Sequence, residues 1–367
     1  MMKSIHLILI SIVAAVSASG ATTQRDFSVS SGEQLEVGLQ TGGSIVIEGW
    51  NRDSVSVQAT GAGVRQSDVE IVRTSSGVSV QVERAHGGPG GLRIVARVPH
   101  RFDLSLRTMG GSIHVEGVRG TLQGITHGGE LRLSRLGGAV DFKTQGGNVR
   151  LSDSQVEGKV KTMGGLLVFE NVSGDVSGST MGGDVTYRNV TRRAGRDGGP
   201  VKVSTMGGSI EVEDALEGIE LSTMGGNVVV RKARQMVKAK TMGGDITLHG
   251  IDGSIEAMTM GGNVSATMVG DPNRGDRDVT ITSKGGDIEL VVPPGLDMDL
   301  DLEILYTSSS PRTYDIQSDV PLHVSTTQWS YEDGNRSRTI RGHGKIGSGK
   351  NKIRIRTING NISLRQK

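Results

Sequence analysis

"TMGGDITLHGIDGSIEAMTMGGNVSA", residues 241–266, carries Thr-Met-Gly-Gly twice, the second copy eighteen residues after the first. Each copy is followed by one polar residue and then an apolar-x-apolar pair, Ile246/Leu248 and Val264/Ala266. Alternation of period two is the mark of a short half-buried strand, and the Gly pair before it marks a corner.

The pattern extends well beyond this stretch. Gly pairs opening such a strand stand at 110, 128, 146, 164, 182, 207, 225, 243, 261 and 285, so a period of eighteen is interrupted only twice, by intervals of 25 and 24. All ten are followed by the same apolar alternation, from Ile113/Val115 to Ile288/Leu290, and no segment shows the 3.6-residue period of an amphipathic helix. A second alternating strand precedes each pair, as in Ile219-x-Leu221-x-Thr223. Each unit thus reads strand, corner, strand, corner. An up-and-down meander and a stacked solenoid both fit, and near-identical residues at fixed register favour the solenoid, which sets equivalent positions about 4.8 Å apart. Both longer intervals carry their extra residues opposite the Gly pair, in 189–200 and 267–278, where a loop leaves the stacked coils undisturbed. Arg188, Arg192, Arg193, Arg196, Arg274 and Arg277 of these insertions read as solvated loop charges on one side.

Composition fits an all-β repeat. The 367 residues include 56 Gly and only ten aromatics, too few for a conventional large core, and the Gly content predicts many corners with positive φ. Lys/Arg and Asp/Glu nearly balance at a net charge of +2 without a basic block, which argues against nucleic acid as a partner. Residues 1–21 read as a secretory signal peptide: a basic start, an apolar run from Ile5 to Val16, and small residues at Ala18 to Ala21. That run is short for a membrane span, and no transmembrane segment is expected after it. The further divisions are irregular β coils over 22–100, a regular β-solenoid of Thr-Met-Gly-Gly repeats over 101–291, and C-terminal capping strands over 292–367. In the cap, Asp297, Asp299, Asp301 and Glu303 alternate with apolar residues, and a cross-strand pairing with Lys352, Arg354 and Arg356 is preferred to a calcium site.

The repeats act as their own substitution experiment. The residue before Met is Thr in nine copies and Ser283 in the tenth, which predicts an inward hydroxyl ladder bonded to its neighbours or to the corner backbone. The next position is Met109, His127, Gln145, Met163, Met181, Met206, Met224, Met242, Met260 and Lys284, so it must be partly wet. Met163, Met181, Met206, Met224, Met242 and Met260 form an unbroken stripe on an outer corner, either as cover for the Gly corner or as a contact seam for a partner, a second rod or a lipid surface. "GKIGSGKN", 344–351, nearly matches a phosphate-binding loop, but Asn351 stands where Ser or Thr would hold magnesium and a strand follows, so that reading is rejected. Arg274-Gly275-Asp276 is read as a chance integrin-type tripeptide, and the histidines, His86 among them, show no metal spacing. No catalytic, cofactor or metal residues are assigned.

With the Gly-Gly-x-[Ile/Val]-x-[Val/Leu] repeats, the entry "GGSIVIEGWNRDSVSV" and the closing "IRIRTINGNISL", the sequence resembles the bacterial putative-adhesin family of domain-of-unknown-function proteins. The resemblance implies a right-handed single-stranded β-helix exported from a bacterial cell, and brings no catalytic residues. The expectation is a non-enzymatic β-solenoid of roughly 18-residue coils, serving adhesion, scaffolding or binding in the periplasm, envelope or medium, with an unidentified protein or glycan as partner. The alternative is a polysaccharide-binding or polysaccharide-processing β-helix enzyme.

Overall fold

The computed structural model describes residues 21–61, 65–83, 91–191, 200–310, 312–332 and 335–367. The expected leader lies outside these residues except for Ala21, which opens the strand Ala21–Ser28. Among the described residues the architecture is all-β and the sole helical element is a single turn, Gln66–Asp68. Among the described residues no helix is long and apolar enough to cross a membrane. The chain divides into two compact units, 1–127 and 128–367.

In the first unit, Gln34–Leu39 lies parallel between Gly77–Val82 and Asp103–Thr108, and Ser44–Trp50 lies parallel between Arg93–Pro99 and Ile113–Glu116. Antiparallel strands join this parallel set: Ala21–Ser28 pairs with Ser54–Gly61, and the latter pairs with Arg93–Pro99. An open parallel stack exposes unpaired backbone groups, and a hairpin partner covers them.

The second unit stacks parallel strands in register. Val149 pairs with Leu167 and Leu167 with Val185, each eighteen positions on, while the two insertions shift the pairing to Val185 with Ile210 and Val264 with Ile288. In this unit the eighteen apolar residues after the nine Gly pairs, Leu131 to Leu290, are all at most 1% exposed. Their burial one above another builds a narrow aliphatic core, with Phe169 and Tyr187 meeting edge to face at 5.5 Å between adjacent coils.

Three polar ladders hold the corners. In the first, Thr162 Oγ1 donates to the Gly147 carbonyl at 2.8 Å and accepts the Gly165 N–H at 3.2 Å. Thr144, Thr180, Thr205, Thr223, Thr241, Thr259 and Ser283 repeat both bonds, so the hydroxyl ladder runs through the corner backbone. The second uses the polar residue after each Gly pair: Asp184, Asn227, Asp245, Asn263 and Asp287 each accept, through a side-chain oxygen, the backbone N–H of the equivalent residue in the next coil. The third occupies the opposite corner, where Arg135, Asp153, Asn171 and Asn189 stand eighteen apart with φ of 52, 50, 54 and 46°. Asn and Asp tolerate this left-handed region best among side-chain-bearing residues. Asn171 Nδ2 donates to Asp153 Oδ1 at 3.0 Å and Asn189 Nδ2 to Asn171 Oδ1 at 2.9 Å.

The expected positive-φ glycines are present, Gly117, Gly158, Gly174 and Gly250 among them, but none belongs to the ten Gly pairs. The second glycine of nine of these pairs is required for close approach: a Cβ on Gly244 would strike the carbonyl oxygen of Gly226 in the coil before it.

After Val292 the chain skips one position of the stack: Met298–Thr307 and Ile316–Ser318 lie parallel on Asn351–Ile358 and Ile362–Gln366, one coil farther on. Met298–Thr307 pairs antiparallel with Asn335–Ile346, which also carries His323–Thr326 and Ser330–Glu332. The chain then returns as Asn351–Ile358 and Ile362–Gln366, lying parallel on Val279–Ser283 and Ile288–Val292. Thr357 donates to the Gly286 carbonyl at 2.7 Å, so these residues form one more coil of the same kind.

Candidate functional site

The methionine edge is built by the corner itself. An inward Thr and a Gly that must touch the neighbouring coil leave the residue between them facing outward. Met163, Met181, Met206, Met224, Met242 and Met260 are 50, 46, 47, 48, 49 and 43% exposed. Their backbones are tied coil to coil: the Met181 N–H donates to Met163, Met224 to Met206 and Met242 to Met224, while the Gly207 N–H donates to Met181. The row is bounded by Gln145, whose carbonyl accepts the Met163 N–H, and by Lys284 at the equivalent corner. Met258, 43% exposed, adds a methionine beside it. The six candidate residues are therefore neighbours on one edge, with apolar, half-exposed side chains that the coil does not need for closure.

The outward strand faces are charge-neutralised. Arg150 meets Glu170 at 2.6 Å, Arg231 meets Glu211 at 2.8 Å, Lys238 meets Glu256 at 2.9 Å and Arg188 meets Glu213 at 3.0 Å. Exposed pairs of this kind add little stability, but they leave the methionine edge as the main apolar feature between polar faces. In the C-terminal sheet the acidic and basic series stand side by side in parallel register, Asp299 with Lys352, Asp301 with Arg354 and Glu303 with Arg356.

The insertion arginines are not one group. Arg192, Arg193 and Arg196 lie outside the described residues, as does His86. Arg277 is 1% exposed rather than a solvated loop charge. Its guanidinium donates to the carbonyls of Val269, Asp271 and Arg274 at 2.8, 3.0 and 3.2 Å, and to Asp252 at 2.6 Å. It therefore holds the loop 267–278 against the coil. Nothing in its local sequence distinguishes it from Arg274.

The phosphate-loop look-alike also has a structural occupant. Asp297 accepts the Ser348 hydroxyl at 2.6 Å, the Ser348 N–H at 3.0 Å and the Lys350 N–H at 2.8 Å. The turn 347–350 thus binds an anion, and the anion is the chain's own carboxylate. The Ser348 hydroxyl first, then the Lys350 N–H, lower the Asp297 pKa from 3.8 to about 2. A carboxyl with a depressed folded-state pKa contributes stability that is present above 3.8 and lost as pH falls through about 2. The advantage of the wild type over Asp297→Asn is expected to hold from neutrality to pH 4 and to vanish by pH 2, in urea midpoints measured across that range. A constant difference would place the contribution of Asp297 outside its charge.

Among the described residues no group of three or more His, Cys, Asp or Glu side chains is placed to hold a metal ion. Asp184, Asp245 and Asp287, the Gly-Gly-Asp corners, spend carboxylate oxygens on backbone N–H groups of the next coil.

No curated protein matches the chain. Similar solved structures include a "putative adhesin" from Parabacteroides distasonis, 11% identical, covering 74% of this chain and 97% of its own at a TM-score of 0.32. Another is a "putative cell adhesion protein" from Clostridium sporogenes, 8% identical, covering 95% and 100% at 0.19. A "putative lipid binding protein" from Parabacteroides distasonis is 9% identical and covers 94% and 96% at 0.24. The family model described as Toastrack DUF4097 matches residues 159–365, more than half of the sequence and most of the second unit. On that match the chain belongs to the Toastrack DUF4097 family.

Proposed function

We propose that this protein is an exported, non-enzymatic β-solenoid, wound as a right-handed single-stranded β-helix of roughly 18-residue coils, that serves as an adhesion or scaffold surface in the bacterial envelope, the periplasm or the medium. The observation that carries the reading is the row of six half-exposed methionines in register on one edge. A contiguous apolar strip between neutralised polar faces is suited to contact with a protein, a glycan-bearing surface or a second copy. The chemistry of the described residues supports binding over catalysis, because the carboxylates and cations are engaged with one another or with backbone.

Changing Met181, Met206 and Met224 together to Gln leaves the thermal midpoint within about 3 °C of wild type, since half-exposed side chains contribute little to the fold. The same variant is expected to lose retention on immobilised cell-envelope fractions from a bacterium. Unchanged retention would remove the methionine edge from the function. New reducing ends from acidic polysaccharides would replace the reading with an enzymatic one.

A further inference from the structure

Apolar contact does not account for the identity of the residues on the methionine edge. Across the ten repeats that position holds Met seven times and otherwise His, Gln or Lys, and never Leu, Ile or Val. Yet Leu, Ile or Val opens every inward pair in the same repeats. A surface kept for apolarity alone would take hydrocarbon side chains as readily. What Met has and Leu lacks is a thioether sulfur, neutral, polarizable and a soft ligand.

The geometry suits such a ligand. The side chains are 43–50% exposed, so the sulfurs are within reach of solutes. Backbone bonds between Met163 and Met181, Met206 and Met224, and Met224 and Met242 fix adjacent positions at the strand spacing of about 4.8 Å. A cation held about 2.3 Å from each of two sulfurs in line needs them about 4.6 Å apart. Neighbouring coils thus already stand at bridging distance, and an unbranched side chain need only rotate to close it. Met258 lies two residues before Met260, near the end of the strand Ile246–Thr259, with Thr259 buried between them, so a third exposed thioether stands beside Met242 and Met260 at that end.

We propose that the methionine edge binds soft monovalent cations with a filled d shell, Cu⁺ or Ag⁺, between thioethers of adjacent coils, with the most sulfur-rich position at Met242, Met258 and Met260. Mg²⁺ and Ca²⁺ are hard and take oxygen ligands, and borderline Zn²⁺ takes sulfur as anionic thiolate, so none competes well for neutral thioethers. This activity is independent of the adhesive reading above, and either one stands if the other fails.

The test uses the full chain and Ag⁺ as silver nitrate in chloride-free buffer, read by native mass spectrometry and by methyl NMR of ¹³C-methionine. About three Ag⁺ are expected to bind, one for every two of the six edge sulfurs. The methyl signals of the edge shift, while those of Met268 and Met298, which are 2% and 0% exposed, stay in place. In a variant with the six edge residues and Met258 changed to Leu, edge-bound Ag⁺ falls to none while the apolar strip is kept. A wild type whose edge signals do not move overturns the proposal, and this reading needs no variant. So does a seven-Leu variant that binds as much Ag⁺, or displacement of Ag⁺ by a tenfold excess of Zn²⁺.

Discussion

Replacing Gly244 by alanine lowers stability by about 3 kcal/mol, whereas the same change one residue earlier, at Gly243, is neutral or slightly stabilising. The two glycines share a corner but meet different surroundings. At Gly243 the nearest atom to an added Cβ is the Gly225 carbonyl oxygen at 3.5 Å, an ordinary contact. At Gly244 the methyl would overlap the Gly226 carbonyl oxygen and crowd the Asn227 side chain at 2.7 Å. Relief requires the two coils to separate, and separation stretches the Thr241 bond to the Gly226 carbonyl, which is 2.9 Å long. Alanine at Gly243 fits the space and narrows the unfolded ensemble, the usual source of a small gain. Urea unfolding of the two single variants checks the contrast; equal midpoints would mean that coil spacing is not set at the second glycine.

Arg277→Ala is expected to cost about 2–3 kcal/mol, chiefly the loss of buried charge-assisted hydrogen bonds, since the Asp252 partner is itself 44% exposed. The Arg277 side chain is 1% exposed, and its removal deprives the Val269 and Arg274 carbonyls of their donor, takes one of two donors from the Asp271 carbonyl and breaks the link to Asp252. Arg277→Lys recovers only part of the loss, because an ammonium on a flexible stem does not reproduce a planar fork that serves four acceptors. Arg274→Ala, whose backbone carbonyl remains in place, serves as the control and stays within about 0.5 kcal/mol of wild type. Limited proteolysis within 267–278 gives a second readout, with faster cleavage expected in the Arg277 variants alone. If Arg277→Ala unfolds at the wild-type midpoint, the buried fork does not anchor the loop.

Much of the all-β stack was legible because the repeat supplies its own comparison. Ile246/Leu248 and their counterparts announced buried strands, and invariance of the Thr column announced inward hydroxyls. The neighbouring Met column varied among Met, His, Gln and Lys, and this variation pointed outward. What stayed hidden depends on contacts between residues far apart in the chain. Asn171 was not singled out and Asn189 was placed at the start of an insertion, although their eighteen-residue spacing with Asp153 was available as a signal of the left-handed corner. Glycine pairs were legible as corners, but the constraint on the second glycine, the carbonyl of the preceding coil, is a contact that no local pattern shows. Arg277 carries no local mark, since its burial arises from how a twelve-residue insertion folds over Asp252. Likewise the Gly-Ser-Gly-Lys turn has the sequence of an anion binder, and only its partner, Asp297, reveals that the anion is internal.

The coil formed by Asn351–Ile358 and Ile362–Gln366 pairs with Val279–Ser283 and Ile288–Val292 across a separation of 74 residues instead of eighteen. That topology gives the stack an order of assembly. During synthesis each regular coil can settle as soon as its own eighteen residues follow the previous one, so growth proceeds in the direction of translation. The coil on Val279–Ser283 must wait for the intervening sheet, and its longer loop adds roughly 1 kcal/mol of closure entropy. Until it arrives, two strands of the growing end carry open backbone groups. The slowest step in building this protein is therefore expected to be its final one, the docking of a distant strand pair between Val279–Ser283 and Met298–Thr307.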